Sequence, residues 1–248
     1  MKFIFVFIAV FFTLDCGAQP LPLDPAIRTG KLANGFTYYI RRNTEPAKRV
    51  QLYLVNKVGS VLENEDQRGL AHFMEHMSFN GTKHFPKNEL VHYLQKSGVR
   101  FGADLNAYTG FDETVYQLPI PTDDPALLKN GLQIMRDWAA NATLDPKEIN
   151  DERGVVLEEK RLGKGAQERM RLKTFPVILN QSRYAERLPI GVDTVLKHFQ
   201  KPTILNFYKE WYRPDLQALI VVGDINVDSM EIRIKQLFSD LKNPVKEK

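Results

Sequence analysis

Two histidines and a glutamate fall within five consecutive positions, His72-Phe73-Met74-Glu75-His76, an H-x-x-E-H pattern. Residues four apart on an α-helix lie one above the other, because a turn takes about 3.6 residues. Two neutral imidazoles at that spacing can bind one Zn²⁺, and the glutamate beside them can accept a proton from a metal-activated water. The helical register supports the grouping. At about 100° per residue, Leu70, Phe73, Met74 and Met77 share one face, and His72, Glu75 and His76 gather on the opposite one. A buried histidine satisfied by a single hydrogen bond would explain one imidazole but not this cluster.

A catalytic zinc takes three protein ligands and keeps a position open. The third is expected from the Glu152 to Glu159 segment. Asp145-Pro146 starts that segment as a helix, with Asp as N-cap, Pro at the first position and Glu148 at the third. Seven residues are close to two turns, so Glu152 and Glu159 point the same way, with Ile149, Val155 and Val156 beside them and Glu158 turned away. Carboxylates set into an apolar stripe are costly unless they are paired or bind a metal. The competing reading is a solvated helix whose acids pair with Arg153 or Lys160. The metal reading makes Glu159 the ligand and puts Glu152 behind a histidine, where it orients the ring.

With these residues in place, the chain resembles the pitrilysin, insulinase and mitochondrial processing peptidase family of zinc peptidases, the inverzincins. The resemblance is carried by His72, Glu75, His76, Glu152 and Glu159, by Leu32-Ala-Asn-Gly-Phe36 and Gly69 to Met77, and by Asn106-Ala-Tyr-Thr109 and Asp112 to Tyr116. Pro189-Ile-Gly191 and Val221-Val-Gly-Asp224 extend it. Phe79 to Pro86 is most similar to the bacterial periplasmic branch named for coenzyme PQQ. The resemblance implies a zinc endopeptidase domain with one Zn²⁺ per chain, held by His72, His76 and Glu159, with Glu75 as the base. It also implies an exposed strand at Asn106, Ala107 and Tyr108 that takes an extended peptide substrate; on sequence alone, Asn106 reads equally well as a turn residue before a hairpin. S-ribosylhomocysteine lyases share the fold and the H-x-x-E-H but use a cysteine ligand, and the single cysteine here, Cys16, lies in the leader.

Met1 to Ala18 reads as a signal peptide, with Lys2, then an apolar Phe3–Leu14 run, then small residues. The rest, 19–248, reads as one zinc-binding peptidase domain, the zinc-carrying half of a two-half architecture. Export to the periplasm or cell envelope follows, with a lipoprotein anchor at Cys16 disfavoured by Asp15 before it. A formal charge of +4 without a dense basic run gives no support for nucleic-acid binding. In relatives of this architecture a second homologous half completes the substrate chamber. A non-turnover half that grips peptides or a partner is the alternative to the peptidase.

Alternating apolar residues predict strands at Phe36–Ile40, Val50–Lys57, Thr114–Ile120 and Gln217–Gly223, with a hairpin partner at Ala103–Thr109. Helices are predicted at 68–78, 87–97, 124–141, 146–163, 167–179, 202–211 and 228–241. Strands in hairpins with helices grouped between them predict an α+β fold, one antiparallel sheet with helices packed on one face. His84, His92 and His198 read as surface or packing residues.

Overall fold

Strands with every second residue apolar bury one side of a sheet and leave the other to solvent. In the computed structural model, which describes residues 21–96, 106–180 and 182–245, this pattern forms a six-stranded sheet of order β1-β2-β6-β3-β5-β4. The strands are β1 (Ile27–Lys31), β2 (Thr37–Arg42), β3 (Arg49–Asn56), β4 (Asn106–Thr109), β5 (Thr114–Pro121) and β6 (Gln217–Gly223). Register stacks the apolar positions: Leu52 lies opposite Leu118 and Val221, and Leu54 opposite Tyr116 and Leu219. All six are fully buried. Each such side chain contributes about 1.5–3 kcal/mol relative to exposure.

Helices α3 (Pro125–Ala140) and α8 (Val227–Phe238) pack on this apolar face, α3 against β3 and β5, and α8 against β2. The remaining helices are α1 (Leu70–Phe79), α2 (Lys87–Lys96), α4 (Pro146–Leu162), α5 (Ala166–Ile178), α6 (Asp193–His198) and α7 (Lys201–Trp211). Helix α1 lies against β4 and β5 on one side and against α4 and α7 on others. This wedged position brings a helix carrying histidines beside β4, the last strand in the sheet order.

The α+β class is as expected, with one correction: the sheet is mixed. Strands β2 and β6 run parallel, and the other four pairings are antiparallel. Strand β6 returns from far along the chain and inserts between β2 and β3. Alternation reports which face is buried but carries no strand direction. Two elements lacked a periodic signal. Strand β1 has a single large apolar residue, Ile27, and sits at the sheet edge; α6 has only six residues. The expected leader, 1–18, and positions 103–105 of the hairpin lie outside the described residues.

Candidate metal centre

Helix α1 begins after Gly69, where the buried carboxylate of Glu63 accepts the backbone N–H groups of Gly69 and Ala71 at 2.9 and 2.8 Å. These would otherwise be unpaired donors of the first turn. The helix ends at Asn80. Leu70, Phe73, Met74 and Met77 are buried as the register required. With that face fixed, His72, Glu75 and His76 must point the other way.

Helix α4 is capped as predicted: Asp145 accepts from the N–H groups of Lys147 and Glu148, and Pro146 opens the helix. The Glu148 side chain, however, pairs with Lys87 rather than closing the cap. Ile149 and Val156 are buried, but Val155 is exposed and does not flank the acids. Arg153 reaches the carbonyls of Leu196 and Phe199 and stacks over the Phe199 ring, 4.0 Å from its centroid. Lys160 binds Gly191 O at 2.6 Å and Asp193 at 2.9 Å. Both cations are therefore engaged elsewhere, which removes the solvated ion-pair reading of Glu152 and Glu159.

Those two carboxylates meet the histidines. Nδ1–H of His76 donates to Glu152 Oε1 at 2.8 Å, and Asn80 Nδ2 donates to Glu152 Oε2 at 2.6 Å. The other ring nitrogen, His76 Nε2, lies 3.2 Å from His72 Nε2 and 3.4 Å from Glu159 Oε2. Glu159 Oε2 is 3.6 Å from His72 Nε2. A tetrahedral ion with bonds of about 2.0–2.2 Å needs donors roughly 3.3–3.6 Å apart. The two separations to Glu159 fall in that range, and the one between the histidines, at 3.2 Å, is just short of it. Glu152 is largely buried, whereas Glu159 has half its side chain exposed, at the mouth of the site rather than within an apolar stripe.

The electrostatics describe the same need for a cation. Burial, and then the neighbouring His76, push the His72 imidazole down to about 4, so it is neutral with a lone pair to offer. Burial pulls His76 down too, but hydrogen bonds to Glu152 and Glu159 outweigh it and lift the ring to about 9. The pocket thus holds positive charge where three donor atoms converge. Burial raises Glu75, opposed by the hydroxyl of Thr109, which donates to Glu75 Oε2 at 2.6 Å. That bond leaves Oε1 for another partner.

Thr109 ends β4, an outer strand of the sheet. Along β4, Asn106 and Tyr108 are exposed and Ala107 is half-buried against the core. The structure therefore brings together His72, Glu75, His76, Glu152 and Glu159, and leaves Asn106–Tyr108 on the adjoining edge. Sequence reading missed Asn80, Thr109 and Glu63. Asn80 could have been found, since it follows His76 by four residues and so shares its face. Among the other histidines, His84 pairs through Nδ1 with the buried Asp137 at 2.8 Å, and His198 with Thr194 O at 2.9 Å.

The family model described as insulinase, peptidase family M16, matches residues 38–175, and one described as the peptidase M16 inactive domain matches 198–248. The chain belongs to peptidase family M16. Among M16 relatives, it is 38% identical over 246 residues to the probable zinc protease PqqL of Haemophilus influenzae, covering 97% of this chain and 26% of that protein. PqqL of Escherichia coli is 38% identical, covering 90% of this chain and 24% of that protein. The crystal structure of the first half of the periplasmic protease PqqL from Escherichia coli superposes with a TM-score of 0.87 at 37% identity, over 92% of this chain and 49% of that one. The ferredoxin protease FusC, solved in complex with Arabidopsis ferredoxin, gives 0.83 at 32% identity, over 90% of this chain and 25% of that one. The chain spans about a quarter of the length of these curated relatives.

Proposed function

We propose that this chain is the metal-bearing part of a zinc endopeptidase that hydrolyses peptides or unfolded segments. The observation that carries the reading is the convergence of His72 Nε2, His76 Nε2 and Glu159 Oε2 at 3.2–3.6 Å, beside the Glu75 carboxylate, whose Oε2 is held by Thr109. These three atoms would hold one zinc ion, which supplies Lewis acidity toward water and the scissile carbonyl when bound. Glu75 Oε1 takes the proton of the attacking water and delivers it to the leaving amine. Thr109 fixes Oε2, so the carboxylate presents one oxygen in a constant direction. Glu152, itself held by Asn80, keeps a proton on Nδ1 of His76, so the Nε2 proton is the one a metal would displace.

An extended substrate would add to β4, with its backbone on Asn106, Ala107 and Tyr108. Their exposure on an outer strand that ends at Thr109 supports this. A second homologous domain would close the chamber, in keeping with the share of the relatives that this chain spans. A signal peptide at 1–18 and residence in the periplasm or cell envelope fit the relative described as a periplasmic protease. The test is metal analysis together with cleavage of a quenched peptide library by the wild-type chain and Glu159→Ala. Stoichiometric zinc with cleavage in the first, and loss of both in the second, is the expected result. Zinc without any cleavage would instead indicate a peptide-gripping half.

A further inference from the structure

A cavity of about 610 Å³ opens beside Glu159, between the end of α4, α5 and the 185–192 stretch. Leu172, Ile190 and Val192 give it an apolar wall, and Arg68, Lys164 and Arg171 share the lining. Two features there point to an anion. The Nε–H groups of Arg68 and Arg171 are both buried without a hydrogen-bond acceptor. Both atoms are closed off from solvent, so each guanidinium is short of an acceptor on that edge and an anion meets it through its remaining N–H groups. The local charges agree. Glu159 faces the histidines, Glu168 meets Arg171 through Nη2 at 2.5 Å, and Lys160 is held by Asp193. Glu186, also in the lining, has only a 3.8 Å approach to Arg187, which is bonded to Glu65, so among the described residues it stays the one loosely paired acid there. Among the described residues Arg68 has a 3.7 Å approach to Glu65 and a longer-range pull from Glu63, and no ion pair engages Lys164. The lining thus holds Lys164 without an ion pair and Arg68 and Arg171 only partly neutralised.

We infer that this cavity is a subsite for a substrate carboxylate, carried by a glutamate-length side chain or by the free C-terminus of a peptide. The inference rests on the peptidase reading above. The apolar wall takes the methylene stem or the terminal side chain, while the guanidinium groups and Lys164 meet the anion. Charge-assisted bonds of this kind are about twice as strong as neutral ones. Because Glu159 borders both the cavity and the metal centre, a residue seated there lies close to the scissile bond.

Binding is measured on the zinc-loaded Glu75→Gln chain, so that peptide is not consumed. Fluorescence anisotropy compares labelled, acetylated Ala/Leu peptides in which one position is Glu or Gln, and a neutral peptide ending in a free acid or an amide. The expected result is a preference of about tenfold or more for Glu at one position, or for the acid. Which pair responds identifies the source of the carboxylate. The Lys164→Ala/Arg171→Gln double variant should remove the preference while keeping its zinc content and circular dichroism. Equal affinities overturn the subsite, as does a preference that survives the double substitution or no binding of any peptide. The peptidase reading fails separately: cleavage without an acid preference sinks only the subsite, whereas acid-selective binding with no cleavage by the wild-type chain sinks only the hydrolase.

Discussion

Glu152 Oε1 accepts the Nδ1–H of His76 at 2.8 Å, and its other oxygen is held by Asn80 at 2.6 Å. A carboxylate in this state can only accept, so Nδ1 carries a proton, and the Nε2 proton of the ring is the one a metal must displace to reach the lone pair that faces His72 and Glu159. Removing such a support behind a ligand typically lowers metal affinity by about 10–100-fold. Glu152→Ala should lose zinc affinity by that amount, measured by chelator competition, with circular dichroism unchanged. Glu152→Gln, which keeps one acceptor oxygen, should lose less. An Ala variant that binds zinc like wild type would show that Glu152 does not act through His76.

Glu75→Gln separates proton transfer from metal binding. The amide oxygen can still accept from Thr109, and none of the three converging donor atoms belongs to residue 75. Loss of general acid–base catalysis costs about 10²–10⁴-fold. Zinc content should stay at the wild-type level while turnover of a quenched peptide falls by that factor. Retained turnover would mean another group moves the proton.

The site was more legible than the sheet that positions it. A five-residue pattern and a seven-residue spacing pointed to five of the side chains that meet at the centre, though not to Asn80 or Thr109, because helical geometry converts sequence spacing directly into direction. Helix α4 was legible from Asp145-Pro146 alone. What escaped depends on contacts between distant segments. Strand β6 pairs parallel to β2 across nearly the whole chain, and no local pattern encodes that. Thr109 reaches Glu75 only because β4 ends beside α1, and Val155 was misplaced because the face of α4 near Glu152 is only partly covered. Pro189-Ile-Gly191 was visible as a motif, but its physical reason lies in a backbone contact with Gly69.

The carboxyl of Glu63 sets a pH dependence outside the metal site. Burial pushes it up to about 8, against the pull of the Ala71 and Gly69 N–H groups and of Arg187 and Arg68. In the unfolded chain it titrates near 4.5. The folded state therefore binds the extra proton between these values. Its contribution is fully present below about pH 4.5 and is lost as pH rises through about 8. Urea melts of wild type and Glu63→Gln across pH 5–9 should show a decline, on the order of a few kcal/mol, that the Gln variant lacks. Parallel profiles for the two chains would mean that Glu63 is ionised throughout.

Gly191 and Gly69 lie back to back where the 185–192 stretch crosses the start of α1. Both have positive φ, 69° and 105°. A Cβ on Gly191 would fall 2.4 Å from Gly69 Cα and 2.6 Å from Arg68 O. These are backbone atoms and cannot rotate away. Val192 N–H also donates to Arg68 O here, and Lys160 is anchored on Gly191 O. Gly191→Ala should therefore lose about 2–4 kcal/mol from the left-handed backbone and the overlap together. The shift also pushes on α1 and on the anchor of Lys160, next to Glu159, so zinc affinity should fall with stability. Gly154→Ala is the matched opposite. Gly154 is exposed in the middle of α4 with no neighbour within 4 Å of a new Cβ. Removing a helical glycine there should stabilise by about 0.5–1 kcal/mol and leave zinc binding alone. Thermal melts of the two variants should move in opposite directions from wild type. A Gly191→Ala chain that melts at the wild-type temperature and holds zinc equally well would show that the contact yields, and that the start of α1 is not fixed by it.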